Sequence, residues 1–522
     1  MRLLSFLLTL SLVWLLSANS PQATDQLNLP DLRSSADRLM TPAEARERGE
    51  QFRRMIQSYG AILDDPLVGE YIEHLGYRLV SHSNQPDAHF SFFVVNHNSV
   101  NAFATFGGYI GIHTGLILAA EEESELAAVM AHEIAHVTQG HLNRVIESTE
   151  RVALPIMLAA MAAALVADSG QAAIGALATG QAAIMQAQIN FTRAHEYEAD
   201  RIGIQMLHRA GFDPLAMAHF FEEMARLDRR YVADRRENEV MRTHPVTSNR
   251  IAEAKSRANA LVRQSPPDPS TYFIVRNRVL ALTASSPHET LRRLLADTER
   301  EIDPRKREAM LYGQALLNNR VGNHQRALEI LQQLIEKQPK RAFSLAKVET
   351  LSRLGRSEQA LALAEEVREQ HPGNYAAEWT YAQTLMSAGD FEQAWRVLDR
   401  LRWEHSEDRH LFEALSQAAD RSGRPMAARE ALAQHHELSG RLRLALDQYR
   451  DILSRDDIDY YTRVRVESRR DRVQREYNEL SAAQRRQQDP WARSSSASTH
   501  PASSTQGGLP TSWHIHGPGC RH

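Results

Sequence analysis

Two imidazoles and a carboxylate stand together in Ala131-His132-Glu133-Ile134-Ala135-His136. The surrounding run from Leu126 to Leu142 is rich in Ala and other good helix formers and has no Pro, so it is expected to be a helix. On that helix His132 and His136 are about 40° apart in rotation and turn both rings to one face. Glu133 lies about 100° round from His132, near enough to touch a water beside a metal without binding the metal itself. Two His at this spacing suit Zn²⁺, and the Glu suits a base that takes a proton from that water. The plain alternative is a solvated helix face that carries two His and a Glu, and the rest of the chain must decide between them.

Zinc held by two His needs a third protein ligand and an open position. The stretch Arg193-Ala194-His195-Glu196-Tyr197-Glu198-Ala199-Asp200 offers one. Glu196 and Asp200 are four apart on a helix and can both face the site, one binding the metal and the other fixing a ligand His from behind. Glu198 is about 200° from Glu196 and points elsewhere. An ordinary charged helix face is again the competing reading.

The elements that must hold these groups follow from patterning. Thr41 is placed to cap a helix starting at Pro42, and Ala43 to Tyr59 and Pro66 to Ser83 read as amphipathic helices that pack on the one carrying His132. Acidic residues from Glu121 to Glu125 open that helix, as suits its N-terminus. Phe90 to Val95 and Phe103 to His113 read as the two strands of a hairpin, with Asn96 to Asn101 as the turn and Gly107-Gly108 weakening or bulging the second strand. Asn101, Phe103, Gly107 and Gly108 are the candidate edge on which a substrate backbone could add as an extra strand. A purely structural hairpin is the alternative.

At 522 residues the chain exceeds one ordinary core. With 61 Lys and Arg against 65 Asp and Glu, its charge is near balance, which argues against nucleic-acid binding by phosphate neutralisation. Arg2 followed by the apolar run Leu3 to Leu16 reads as a secretory signal, with cleavage expected after Ala23; loss of Arg2 moves the formal net charge from −4 to −5. An uncleaved anchor is the alternative. Cys520 is the single cysteine, so no intrachain disulfide can form even in an exported protein. Val152 to Val166 is apolar but short for a membrane span and interrupted by Pro155, which points to packing over the site or to a peripheral membrane or partner contact.

Gly322, Gly355, Gly389, Gly423 and Gly440 each precede an Ala by five positions, namely Ala327, Ala360, Ala394, Ala428 and Ala445. The spacing of about 34 between the first four glycines is that of tetratricopeptide helix hairpins, whose stacked repeats leave a surface for peptides or proteins. The expected plan is a signal over 1–23, an α+β metalloprotease domain with a small sheet over 24–265, a helical connector or degenerate repeats over 266–308, an α-solenoid of repeats over 309–482 and a Ser- and His-rich tail over 483–522. The fold class is thus mainly α. In the tail, His514, His516, Cys520 and His522 could bind a metal, although a flexible segment is the simpler expectation.

His132-Glu133-x-x-His136 followed by Glu196-x-x-Ala199-Asp200 resembles the gluzincin peptidases, the family that includes the CAAX prenyl proteases and the heat-shock membrane protease HtpX. With a signal ahead and repeats behind, the layout from the N-terminus to about residue 480 resembles the periplasmic β-barrel assembly-enhancing subgroup of Gram-negative bacteria. The resemblance implies a zinc endopeptidase with Glu196 as third ligand, Glu133 as general base and Asp200 in support. It implies outer-membrane β-barrel precursors and the barrel assembly machinery as partners of the repeats, with a chaperone role beside proteolysis. It also makes His244, in Thr243-His244-Pro245, a candidate fourth ligand that displaces the water and holds the enzyme off, with Arg250 supporting the same site. A donor to the oxyanion is the rival role for His244. A scaffold with a latent zinc site is the rival reading of the whole. An integral-membrane prenyl protease is disfavoured, because no later segment is apolar for long enough.

Overall fold

The computed structural model describes residues 40–147, 193–233, 244–262 and 266–480. The expected signal, the apolar stretch 152–166, Thr243 and the His-rich tail lie outside the described residues.

The first helix, α1 (Pro42–Ser58), starts where the capping residues place it: the Thr41 hydroxyl accepts from the Glu44 amide (3.2 Å) and the Glu44 carboxylate accepts from the Thr41 amide (2.8 Å). Helix α2 (Pro66–Val80) begins under the Asp65 cap. Strands β1 (Ser91–Val95), β2 (Ala102–Ala104) and β3 (Tyr109–His113) make one sheet in the order β1-β3-β2. Short α3 (Thr114–Ala119) leads to α4 (Glu123–Thr138), the helix of His132, and then come α5 (His141–Glu147), α6 (Arg193–Arg209), α7 (Ala216–Ala233) and α8 (Ser248–Asn259).

The sheet lies between two apolar layers, as strand alternation requires. Val94, Ala102, Ile110 and Ile112 join the core formed with α2 and α4. Phe93, Val95, Phe103 and Tyr109 turn to the other face and meet Phe52 and Ile56 of α1. Burying two such side chains of α1 stabilises the layer by roughly 1.5–3 kcal/mol each.

The expected hairpin needs correcting. The first strand does not pair antiparallel with the second; β1 runs parallel to β3, Ser91 opposite Tyr109, and the antiparallel partner of β3 is the three-residue β2. Gly107 and Gly108 are not a bulge within a strand but belong to the 3₁₀ turn Phe106–Gly108 between β2 and β3. A Cβ at either glycine would collide with main chain, of Arg46 at 2.6 Å and of His89 at 2.0 Å, so packing fixes the turn. Period-2 patterning encodes which face a residue takes and is silent on which strand lies beside it. The helix of His132 also stops earlier than Leu142: Gly140, at φ 63°, ends α4 and His141 opens a new helix.

Helices α9 (Ser270–Thr283) and α10 (Pro287–Arg300) begin the second half. They are followed by α11 (Pro304–Arg320), α12 (His324–Lys337), α13 (Arg341–Arg353), α14 (Ser357–Gln370), α15 (Tyr375–Ala388) and α16 (Phe391–Leu401). The series ends with α17 (Arg409–Arg421), α18 (Pro425–Leu438), α19 (Leu442–Leu453) and α20 (Tyr460–Glu479). The five repeat glycines sit between consecutive helices with φ of 66–86°, and the alanines five positions on are all buried, as tight helix hairpins demand. Helix α9 packs on the first half: the Tyr272 hydroxyl donates to the carbonyls of Ile117 (3.0 Å) and Ala120 (2.7 Å), and the core runs on from α4 through α9 to α13.

The solenoid curls back onto α1 and α2 through charged groups. Asp65 takes a two-pronged contact from Arg278 (2.7 Å each), and Glu70 receives Arg341 (2.7 Å) and the Ala376 amide (2.8 Å). Arg54 reaches Glu476 of α20 at 2.9 Å. Asp64 meets Arg409 (3.0 Å) and His410 (3.1 Å). The Asp64 hydrogen bond, opposed by burial, lifts the His410 pKa above its usual 6.5. A raised value means that this contact stabilises fully below pH about 6.5 and fades as pH climbs through the folded value. Going from pH about 6 to about 9 should therefore cost the wild type more stability than His410→Gln in urea titrations; parallel losses would remove His410 from the clasp.

Candidate metal centre

Helix α6 crosses α4 at Gly203, where a Cβ would come within 3.3 Å of the His132 amide nitrogen and 3.0 Å of Met217. With Ala199 fully buried beside it, that close approach carries Glu196 and Asp200 to the imidazoles of α4. His244 arrives on the segment just ahead of α8, whose N-terminus is capped by Thr247.

His132, His136, Glu196 and His244 converge, all buried, with one donor atom of each within 4.8 Å of the others. The Nε2 atoms of His132 and His136 are 2.9 Å apart, and His244 Nδ1 is 3.3 Å from His132 Nε2 and 3.0 Å from Glu196 Oε1. Glu196 oxygens lie 3.5 Å from each Nε2. Four donors about 2.05 Å from a tetrahedral Zn²⁺ would be about 3.3 Å from one another, so this spacing fits the ion. Ring nitrogens and a carboxylate oxygen turned to one point are also the donor types that zinc takes.

Charge in the site points the same way. Glu196 is held well below the carboxylate range: burial pushes it up, but His244 and His132 outweigh burial. Against its own burial, His132 is raised to about 10 by Asp200 and Glu196, so the cluster attracts positive charge. Burial, reinforced by His132, keeps His136 neutral and its lone pairs available. Glu133 stands outside the four donors, 3.6 Å from His244 Nε2, and burial raises its pKa against the pull of His244 and His132. Its Oε2 is buried and has no hydrogen-bond partner among the described residues.

A second layer holds the donors. Asp200 Oδ1 is 3.0 Å from His132 Nδ1, and Arg250 donates to both Asp200 oxygens at 2.7 Å. Arg250 Nη1 also reaches Glu196 (2.8 Å) and the Pro245 carbonyl (2.9 Å), tying α6 to the His244 segment. Sequence reasoning missed His141 and gave Glu198 no role. His141 Nδ1 is 2.8 Å from His136 Nδ1, and its Nε2 is 3.1 Å from Glu198. The available signal was Gly140, which turns the chain so that the next residue falls beneath His136.

Of the four residues expected to offer a substrate edge, Phe103 lies in β2, Asn101 just ahead of it and the two glycines beyond it. The Thr105 amide donates to Tyr109 (2.8 Å) and the His113 amide to Asn101 (3.0 Å), so the odd-numbered residues direct their main-chain groups to β3. Phe103 is core, edge-on to Phe52 at 5.9 Å, and lies over Gly111. Gly107 and Gly108 sit in the packed turn. Ala102 and Ala104 turn their main-chain groups away from β3; Ala102 is buried, and the Ala104 amide favours the charged form of Glu133.

Residues 66–258 match peptidase family M48, and residues 351–418 match a tetratricopeptide repeat. Fold and site together are those of a metalloprotease joined to a helical-repeat solenoid. The chain is 32% identical over 449 residues to the β-barrel assembly-enhancing protease of Escherichia coli (strain K12), covering 85% of this chain and 91% of that one. Its counterpart in Yersinia pestis is 31% identical over 450 residues, 86% of this chain and 92% of the relative. Metalloprotease LoiP of Escherichia coli (strain K12) matches over 164 residues at 27% identity, 31% of this chain and 60% of LoiP. The chain belongs to the β-barrel assembly-enhancing protease family.

Replacing Arg250 by Met leaves Asp200 and Glu196 buried without their shared cation. The expected cost is about 3–5 kcal/mol in the metal-free protein, read from the urea midpoint. A loss under 1 kcal/mol, the size of an exposed ion pair, would remove Arg250 from the framework.

Proposed function

We propose that this protein is a periplasmic zinc endopeptidase that degrades misfolded or stalled outer-membrane β-barrel proteins and assists their assembly. The observation that carries the reading is Glu133, buried and set just outside four converging donors, beside Ala104 at the end of edge strand β2. When bound, a zinc ion supplies Lewis acidity, polarising a carbonyl and making water a usable nucleophile at neutral pH. Glu133 accepts the proton of the attacking water and passes it to the departing amine. Burial raises its pKa, which matches a group that must take and then give up a proton. Asp200 orients His132, and Arg250 keeps Glu196 and Asp200 in register. On the side of β2 turned away from β3, the Ala104 carbonyl accepts from an extended substrate backbone, a contact indifferent to side-chain sequence and suited to unfolded clients.

The names of the relatives support barrel assembly as the process served, and the repeats supply the surface for barrel precursors and the assembly machinery. Among the described residues no helix is long and apolar enough to cross a membrane, and the apolar run 152–166 is a candidate peripheral contact. A scaffold with a latent site is favoured by one feature: His244 supplies a fourth donor, and a tetrahedral zinc with four protein ligands is closed. In the protease reading His244 is therefore a plug that must move aside.

Glu133→Gln should lower casein cleavage by about 10²–10⁴-fold while zinc content stays at one per chain. Should this variant also restore a barrel-assembly defect as fully as the wild type, the scaffold reading prevails. His244→Ala should raise cleavage, self-cleavage included; a fall would assign His244 to the oxyanion instead.

A further inference from the structure

We propose that His141 and Glu198 are positioning residues for the metal: with His136 they form a carboxylate–imidazole–imidazole relay that fixes the tautomer and ring angle of His136 and strengthens it as a donor. The inference rests on the zinc-site reading above and extends it to residues which that site does not itself contain.

The protons can be placed by elimination. To ligate, His136 must present a lone pair at Nε2, the atom that faces His132 Nε2 at 2.9 Å. Its proton is then on Nδ1, 2.8 Å from His141 Nδ1, and that contact is a hydrogen bond only if His141 Nδ1 is the acceptor. His141 then carries its own proton on Nε2 and donates it to Glu198 Oε2 at 3.1 Å. Each nitrogen in the chain has one assignment, and a negative charge lies at its far end. Arg144 donates to the same Glu198 oxygen at 3.3 Å and holds it in place. His195 stacks on the His141 ring, with centroids 4.4 Å apart and 16° between planes, and prevents it from turning.

The two ligand imidazoles of α4 are thus backed differently. His132 has a carboxylate, Asp200, directly at its Nδ1. Behind His136, at its Nδ1, the α6 carboxylate Glu198 is reached through a second imidazole, because Gly140 ends the helix and puts His141, not an acid, behind the ring. Partners of this kind hold a ligand His in one orientation and raise its basicity, and their loss weakens metal binding about 10–100-fold.

The test is zinc affinity of the full chain, measured in competition with a chromogenic chelator, together with the unfolding midpoint of the metal-free protein. His141→Phe keeps the ring and its stacking on His195 but removes both nitrogens, and it should weaken zinc about 10–100-fold. Glu198→Gln acts on a side chain that is 23% exposed, so metal-free stability should hold while affinity falls in the same direction by a smaller factor. A merely structural role would move the midpoint and leave affinity in Glu198→Gln alone. His136→Ala serves as the control and should abolish stoichiometric zinc. Wild-type affinity in both His141→Phe and Glu198→Gln, with zinc lost in His136→Ala, would overturn the relay and leave the site reading standing. Zinc retained by His136→Ala would overturn the site reading, and the relay with it.

Discussion

The crossing of α4 and α6 sets everything else in the catalytic half. A main-chain approach as close as the one at Gly203 lets a carboxylate on one helix share an ion with two imidazoles on the other. Without a cation, the same closeness is a liability. Three imidazoles and a carboxylate bring donor atoms within 4.8 Å of one another, and Asp200 and Glu196 raise the His132 pKa to about 10 against its burial. Metal binding and the fit of these two helices are therefore one event energetically, as is usual where a site must gather ligands from separate elements. The remaining helices act as a frame that keeps the crossing tight, through Arg250 on one side and the pair His141 and Glu198 on the other.

That frame extends into the repeats. Tyr272 of α9 is fully buried, with its hydroxyl bonded to carbonyls at the end of α3, so the first solenoid helix is also part of the protease core. Further along, Asp64, Asp65 and Glu70, around the start of α2, bind Arg409, Arg278 and Arg341 from helices far apart in the solenoid. The repeats and the metal site are therefore joined through a shared core and these ion pairs. Charged contacts of this sort respond to pH and salt more readily than an apolar seam does.

What the chain reveals before folding depends on the range of each interaction. The spacing of His132, Glu133 and His136, the cap at Thr41 and the Gly-to-Ala interval of the repeats are all local, and each had its expected place in the structure. Glu196 and Asp200, one turn apart, could be offered together from their spacing, while the choice of Glu196 as the ligand rested on the family resemblance. Strand order was hidden, since the alternation of Phe93 and Val94 is the same whether β1 meets its neighbour head-on or alongside. Which residues of β2 turn their main-chain groups away from β3 was hidden too, because it depends on the hydrogen-bond phase between the two strands. His141 was passed over for a related reason: five positions after His136 it would miss the site on a continuous helix, and only the break at Gly140 brings it under the ring.

Anomalous scattering at the zinc absorption edge, from crystals of the full chain loaded with one equivalent of zinc, tests the central claim most directly. The account predicts a single peak about 2.0–2.2 Å from His132 Nε2, His136 Nε2 and a Glu196 oxygen. A peak at any other set of side chains, with these three left unligated, would contradict it.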